Sequence, residues 1–266
     1  MKNSSLDQCN NKVILVTGAS RGIGAATAIL AAQHGYDVAI NYAGNLDAAR
    51  AVADTISLLG RKVHIIQADV SCEEDVIRMF DETTQTLGGI DALVNNAGIL
   101  ESQMRVENMS LERLQRVMAV NVIGSFLCAR EAIKHMSTMR AGNDGKGGKC
   151  GKGGAIVNVS SAAARLGSPF EFVDYAASKG AIDSMTIGLA KEVAGDGIRV
   201  NAIRPGLIYT DIHQLAGEPG RVDRLKEAVP MKRGGTADEV AQTIIWLLSD
   251  AASYVTGSIL DVTGGR

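Results

Sequence analysis

No apolar run in this 266-residue chain approaches the roughly 20 residues that cross a bilayer, which excludes a membrane-spanning helix. The first ten residues are polar and carry no hydrophobic signal core, so a cytoplasmic location is expected. The four cysteines (Cys9, Cys72, Cys128 and Cys150) are scattered without C-x-x-C spacing, as suits free thiols in a reducing compartment. His34, His64, His135 and His213 show no metal-ligand spacing, so no metal is expected. A net charge of -2 gives no bulk attraction to phosphate and argues against a nucleic-acid partner. What is present, 46% apolar and 21% charged residues, suits a globular chain that buries a large core without staples.

Residues 12–17 (KVILVT) form a short β-branched apolar run, the pattern of a buried parallel strand. It enters Gly18-Ala19-Ser20-Arg21-Gly22-Ile23-Gly24 and then an alanine-rich segment that reads as a helix to about residue 34. Strand, glycine turn and helix form the context of a dinucleotide-binding loop. Gly18 permits the tight turn, while Gly22 and Gly24 let backbone approach a pyrophosphate and the helix approach the sheet. The helix N-terminus then favours anions. A second strand, residues 37–40, ends at Asn41-Tyr42, where an acid would hold the adenosine 2′-hydroxyl and select NAD. The chain has neutral Asn41 instead, with Arg21 nearby, a combination suited to a 2′-phosphate. NADP(H) is therefore expected in preference to NAD(H).

Residues 63–67, 91–94, 155–159, 199–203 and 257–262 read as further strands. Residues 46–59, 73–87, 111–136 and 237–248 read as helices, the third as one long helix with Asn121 partway along. The alternation predicts an α/β fold: one doubly wound Rossmann domain over residues 1–266, with a seven-stranded parallel sheet flanked by helices on both faces. Three segments are expected to stand apart from it. These are a flexible N-terminus (1–11), a flexible Gly/Lys loop (142–153) and a lid over the substrate (207–233).

Tyr175 and Lys179 lie four residues apart in a helix-compatible segment, so they share a face. A neighbouring cation favours the phenolate, which would bring Tyr175 below its usual value of roughly 10 and make it a proton donor and acceptor. The strand at 155–159 ends in Ser160-Ser161, bringing a hydroxyl to the same crevice. No G-x-S-x-G surrounds Ser161 and no histidine is placed as its partner, which excludes a serine nucleophile.

Residues 17–24 (TGASRGIG), 95–98 (NNAG), Asn121, Ser161, the Tyr175/Lys179 pair and Pro205-Gly206 follow one another in the order of a known superfamily. The chain resembles the single-domain branch of the short-chain dehydrogenases/reductases, near glucose 1-dehydrogenase-like and 3-oxoacyl-carrier-protein reductase-like members. The resemblance implies an NAD(P)-dependent enzyme moving hydride between nicotinamide and a carbonyl or secondary alcohol. The substrate would be a 3-oxoacyl thioester, a small ketone or a sugar. It implies a catalytic set of Asn121, Ser161, Tyr175 and Lys179, with Tyr175 the acid, Ser161 the oxygen donor, Lys179 the tuner and ribose ligand, and Asn121 the holder of a relay water.

The resemblance also implies cofactor contacts from Gly18, Ser20, Arg21, Gly22, Ile23, Gly24, Asn41 and Tyr42. Asp69 and Val70 would meet the adenine, although Asp69 read alone passes as a helix N-cap. Asn96, Ala97 and Gly98 would wall the ribose, and Pro205, Gly206, Ile208 and Thr210 the nicotinamide, with Tyr175 and Lys179. A homotetramer is implied, pairing helices 121–136 and 175–193, with the Trp246 helix and last strand making the other contact; the face of Ala181, Met185, Gly188 and Leu189 suits close helix packing, and ordinary core burial explains it as well. The alternative is a non-catalytic NADP-binding sensor or scaffold of the same fold. Such relatives usually lose the Tyr or the Lys, and both are kept here. Substrate walls are expected at 100–106, 162–172 and the lid. Leu100, Leu166, Phe170, Phe172, Ile212 and Leu215 make them partly apolar, while Glu101, Glu171 and His213 equally suit sugar hydroxyls.

Overall fold

The computed structural model describes residues 12–140 and 152–266, save the side chains of Arg140, His213 and Leu215. The segments expected to be flexible at 1–11 and through most of 142–153 lie outside the described residues, with Cys9 and Cys150.

The first half of the chain runs β1 (Val13–Val16), α1 (Gly22–Gln33), β2 (Asp37–Tyr42), α2 (Leu46–Leu58), β3 (Val63–Gln67), α3 (Glu73–Leu87) and β4 (Ala92–Asn95). Then come α4 (Leu111–Met118), a π-helical turn (Ala119–Ile123), α5 (Gly124–Met136), β5 (Gly154–Val159), α6 (Ala163–Leu166), α7 (Val173–Val193) and β6 (Ile198–Pro205). The chain closes through α8 (Ile212–Leu215), α9 (Arg221–Leu225), α10 (Ala237–Leu248) and β7 (Ile259–Val262). The helix expected as one piece over 111–136 is thus two α-helices joined by a π-turn, with Asn121 at its centre. The lid region contains two short helices, α8 and α9.

All seven strands pair in parallel, in the order β3-β2-β1-β4-β5-β6-β7. Each connection must therefore cross a face of the sheet, and the helices end up on both sides. Alternation along a strand sorts the core into two layers. Ile14 and Val16 of β1 join Val38, Ile40 and residues of α1, α2 and α10 on one face. Leu15 joins Ala39, Leu93, Ile156 and residues of α3, α5 and α7 on the other. Ile14 and Ile156 are completely buried, and each such side chain stabilises the fold by about 1.5–3 kcal/mol. Strand order reverses between β1 and β4, where the connections leave to opposite sides and a crevice opens beyond the carboxyl ends.

α7 buries polar side chains alongside apolar ones, and each has a partner from a different element. Asp174 meets Arg113, Ser178 meets Asn121, Lys179 meets the carbonyl of Val159, Asp183 meets Arg204 and Thr186 meets Asn158. Asn158 passes the chain of bonds on to Asn95 of β4 at 3.0 Å. Buried polar groups that are paired in this way fix one arrangement of helix against sheet.

Candidate active site

The loop after β1 is drawn against its neighbours by side-chain amides. Gly18 N donates to Asn41 Oδ1 at 3.1 Å, and Asn41 Nδ2 donates to the carbonyl of Ala68 at 2.9 Å. Asn96 Nδ2 donates to the carbonyls of Thr17 and Gly18 at 2.8 and 3.0 Å. Gly24 lies behind this loop, where a Cβ would stand 2.4 Å from Asn96 Nδ2 and 2.6 Å from Gly18 O. That space admits glycine alone. Gly18 itself has φ of 62°, a left-handed conformation that costs glycine nothing. α1 then begins at extended Arg21 with no side-chain cap and no acid in its first turn. Its N–H groups and dipole are free to meet an anion.

Two residues expected at the cofactor have other commitments in the fold. Asn41 lines the crevice, but its amide is committed on both sides to the backbone, so it serves as a brace. A carboxylate there could accept from Gly18 but could not donate to Ala68, which gives the missing acid a structural reason. Tyr42 turns its ring into the core among α1 and α2 residues and does not line the crevice. Arg21 is exposed at the crevice mouth.

Asp69 stands at the crevice and accepts from Ser71 N and Oγ at 2.9 and 2.7 Å. It is not a helix cap, since α3 starts from Cys72. Val70 is buried against Gly124, where a Cβ would fall 2.8 Å from its Cγ2. Asn96, Ala97 and Gly98 follow β4 along the floor. Pro205, Gly206, Ile208 and Thr210 line the opposite side, and the Thr210 side chain reaches within 3.4 Å of the space beside Gly22. The crevice encloses about 1280 Å³ and also takes in Ser20, Ile23, Ser161, Tyr175 and Lys179.

Tyr175 stands at the first turn of α7, and Ser161 follows β5. The Ser161 hydroxyl faces the phenol closely enough to favour its ionised form, and its Oγ also accepts from Ala163 N at 3.1 Å. Lys179 Nζ lies 5.6 Å from the centre of the Tyr175 ring and donates to the carbonyl of Val159 at 2.7 Å. The expected lowering of the phenol is reversed: burial pushes Tyr175 up to about 12, only partly offset by the Ser161 hydroxyl. Burial also pushes Lys179 down to about 8, with Asp183 opposing. Desolvation outweighs the mutual help of a cation and a phenolate at this distance.

Asn121 sits behind the crevice wall, fully buried. Its side chain accepts from Ile99 N at 2.8 Å and donates to Ile99 O and Ser178 Oγ at 3.0 and 3.1 Å. Ser178 Oγ in turn donates to the carbonyl of Tyr175 at 2.7 Å, so Asn121 is coupled to the tyrosine through one hydroxyl.

Sequence reasoning missed the ion pair beside this group. Arg113 Nε and Nη2 hold Asp174 Oδ2 and Oδ1 at 2.7 and 3.2 Å, and both residues are buried. Asp174 Oδ1 also accepts from Tyr175 N at 2.9 Å, and Arg113 Nη1 donates to Ser102 O at 2.6 Å. The position of Asp174 next to Tyr175 was a visible signal, but nothing local named a partner 61 residues away. Among the described residues, no group of His, Cys, Asp and Glu is placed to hold a metal.

The family model described as Enoyl-(Acyl carrier protein) reductase matches residues 18–266. A relative in Escherichia coli, named an uncharacterized oxidoreductase (YgfF), is 58% identical over 96% of this chain and 99% of its own. A 3-oxoacyl-[acyl-carrier-protein] reductase of Staphylococcus epidermidis is 36% identical over 96% of this chain and 98% of its own. Glucose 1-dehydrogenase 2 of Bacillus subtilis is 39% identical over 96% and 94%. Among solved structures, a short-chain dehydrogenase from Burkholderia cenocepacia in complex with NADP superposes with a TM-score of 0.85 at 32% identity, covering 96% of this chain and 97% of that one. A short-chain type dehydrogenase/reductase from Mycobacterium marinum gives 0.86 at 35%, covering 96% and 94%. With the parallel sheet, the glycine loop at its switch point and these relatives, the chain belongs to the short-chain dehydrogenase/reductase superfamily and is an oxidoreductase.

Proposed function

We propose that the protein is an NADP(H)-dependent carbonyl reductase or alcohol dehydrogenase whose chemistry is carried by Ser161, Tyr175, Lys179 and Asn121. The observation that carries this reading is the meeting of Ser161, Tyr175 and Lys179 in the same crevice as the glycine loop. The residues fit such a cofactor. The uncapped start of α1 suits a pyrophosphate, Arg21 at the mouth suits a 2′-phosphate, and Gly24 keeps the loop close to the sheet. Asp69 and Val70 would meet the adenine, Asn96 to Gly98 the ribose, and Ile208 and Thr210 the carboxamide. When bound, the cofactor supplies or takes up the hydride.

The protein's own part is the charge that develops on the substrate oxygen. Ser161 donates a hydrogen bond to that oxygen, and Tyr175, a neutral phenol at physiological pH, gives it a proton. Lys179 stands beside the ring to hold the phenolate that remains and to bind the ribose. Asn121 keeps the water that reprotonates Tyr175 and, through Ser178, fixes the tyrosine backbone.

NADPH absorbance on a panel of ketones, sugars and acyl thioesters tests the reading. Tyr175→Phe should lose about 10²–10⁴-fold in kcat while binding NADPH normally, and near-normal turnover would overturn it. Arg21→Ala should reduce the NADPH-to-NADH preference; an unchanged ratio removes Arg21 from cofactor choice.

A homotetramer belongs to the same proposal. Leu111, Ile123 and Phe126 of the α4–α5 side and Ile187 of α7 are exposed, and Trp246 of α10 is exposed as well. Met185 packs into the core, the second of the two settings its face allowed.

A further inference from the structure

The substrate side of the crevice is walled by three separate parts of the chain: residues 99–105, residues 167–172 and α9. They converge on Arg221. Its guanidinium lies 4.9 Å from the centre of the Phe172 ring, bonds Glu171 through Nη2, and donates from Nη1 to Glu218 Oε2 at 2.9 Å. For a charged side chain it is deeply placed, at 9% exposure. Arg224 bridges the same two carboxylates from outside, at 2.6 Å to Glu218 and 3.4 Å to Glu171.

The third wall joins the same knot. Met104 N donates to Glu171 O at 2.9 Å, Gln103 Nε2 donates to Glu218, and Arg105 lies 5.5 Å from the centre of the Phe170 ring. The gripped segment is itself strained, because Ser168 and Phe170 have φ of 43° and 67°. Non-glycine residues hold that conformation only where their surroundings impose it. Arg221 and Arg224 cancel Glu171 and Glu218 in this knot, and Arg105 is paired with Glu107. The crevice beside it is faced by Leu100, Leu166, Pro169 and Leu225, with Arg116 (paired with Glu101), Asp211 and Arg266 further along its lining.

We infer that Arg221 is a positioning residue that sets substrate specificity: its pairing with Glu171 and Glu218 fixes α9 against residues 167–172 and neutralises that wall, so the crevice takes a carbonyl compound whose remote group is uncharged. This rests on the carbonyl chemistry proposed above. Two opposite perturbations follow. Arg221→Met leaves Glu171 and Glu218 with Arg224 as their shared cation, one positive charge short, and loosens the wall. Glu171→Gln with Glu218→Gln leaves the Arg221 fork available to a substrate carboxylate.

The experiment compares wild type, Arg221→Met, Arg221→Lys and the double glutamine variant. Two ketones of equal chain length serve as substrates, one ending in a methyl ester and one in a carboxylate. NADPH affinity is followed by fluorescence and wall mobility by trypsin cleavage after Arg224 and Lys226, the two sites common to all variants. Arg221→Met should raise KM for the ester about tenfold, the scale of one lost coupling in a network, with kcat less affected and NADPH affinity unchanged. Arg221→Lys should recover part of this, keeping charge without the planar fork. The double glutamine variant should shift kcat/KM about tenfold toward the carboxylate ketone. Arg221→Met and the double glutamine variant should be cut faster than wild type.

An unchanged KM in Arg221→Met or an unchanged substrate ratio in the double variant would overturn the specificity role. Equal trypsin rates would overturn the hold on the wall whatever the turnover. If neither ketone is turned over by any variant while the trypsin contrast appears, the carbonyl reading falls and the specificity role falls with it, leaving only the structural hold.

Discussion

Arg113→Met removes the cation from a buried, two-pronged ion pair and leaves Asp174 as a carboxylate in an apolar setting. The guanidinium lies at 2.7 and 3.2 Å from the two oxygens, and the residues are 6% and 5% exposed. Stranding one member of such a pair costs about 3–5 kcal/mol. The lost bond to Ser102 O adds about 1 kcal/mol. In a chain of this length each kcal/mol moves the melting temperature by roughly 2–4 °C, so a fall of about 10 °C or more is expected. Adding Asp174→Asn should recover stability, because the double variant no longer buries a lone charge. Thermal and urea unfolding of the two single variants and the double variant measure this coupling directly. The kinetic consequence is separate: Tyr175 N–H loses a fixed acceptor, so kcat should fall while NADPH affinity holds. Arg113→Met unfolding within about 1 kcal/mol of wild type, or a double variant less stable than Arg113→Met, would refute the reasoning.

Gly24→Ala should abolish NADPH binding and destabilise the fold by about 1–3 kcal/mol, since the new methyl would overlap Asn96 Nδ2 and the Gly18 carbonyl; wild-type affinity by calorimetry would contradict it. Lys179→Met should be more stable than wild type at pH 7, by on the order of 1 kcal/mol, while losing activity. The folded value of Lys179 is lowered to about 8, so between there and about 10.4 the unfolded chain binds the extra proton and wild-type stability rises with pH. The gap between the two proteins should therefore shrink from pH 7 to pH 10, and a constant gap in urea unfolding would count against it. Arg233 holds Glu239 down to about 2, helped by the Thr236 N–H in the capping box of α10. Its contribution is complete above about pH 4.3 and lost as pH falls through about 2; a carboxyl resonance titrating above 4 would sink this assignment.

The strands and the glycine loop were legible because their causes are local. A run such as VILV has only one good environment, and Gly18 to Gly24 announce a turn whatever surrounds them. The four-residue spacing of Tyr175 and Lys179 was also enough to place them on one face. Their electrostatics were not legible, because spacing shows a neighbouring charge and hides the degree of burial. Desolvation reversed the sign of the phenol's shift. The bracing bonds of Asn41 were hidden for a related reason. Its identity suggested absence of an acid, whereas its two backbone bonds are made with segments 23 and 27 residues distant. Arg113 with Asp174 and Arg221 with Glu171 stayed invisible because each pair is joined only by the fold, across 61 and 50 residues.

The π-turn at residues 119–123 settles a problem of phase. Buried positions recur every four residues through Arg113, Val117, Asn121, Ser125 and Ala129. An α-helix overshoots by about 40° for every such step, so four steps would carry the stripe about 160° around the axis and point its end toward solvent. One surplus residue in a single wide turn takes back about 100° of that drift. The stripe can then face α7 from α4, through Arg113, and face both α7 and the sheet from α5. This turn is accordingly the place where the chain counts its helix: removing one residue there would rotate Cys128, Ala132 and Met136 out of the core together.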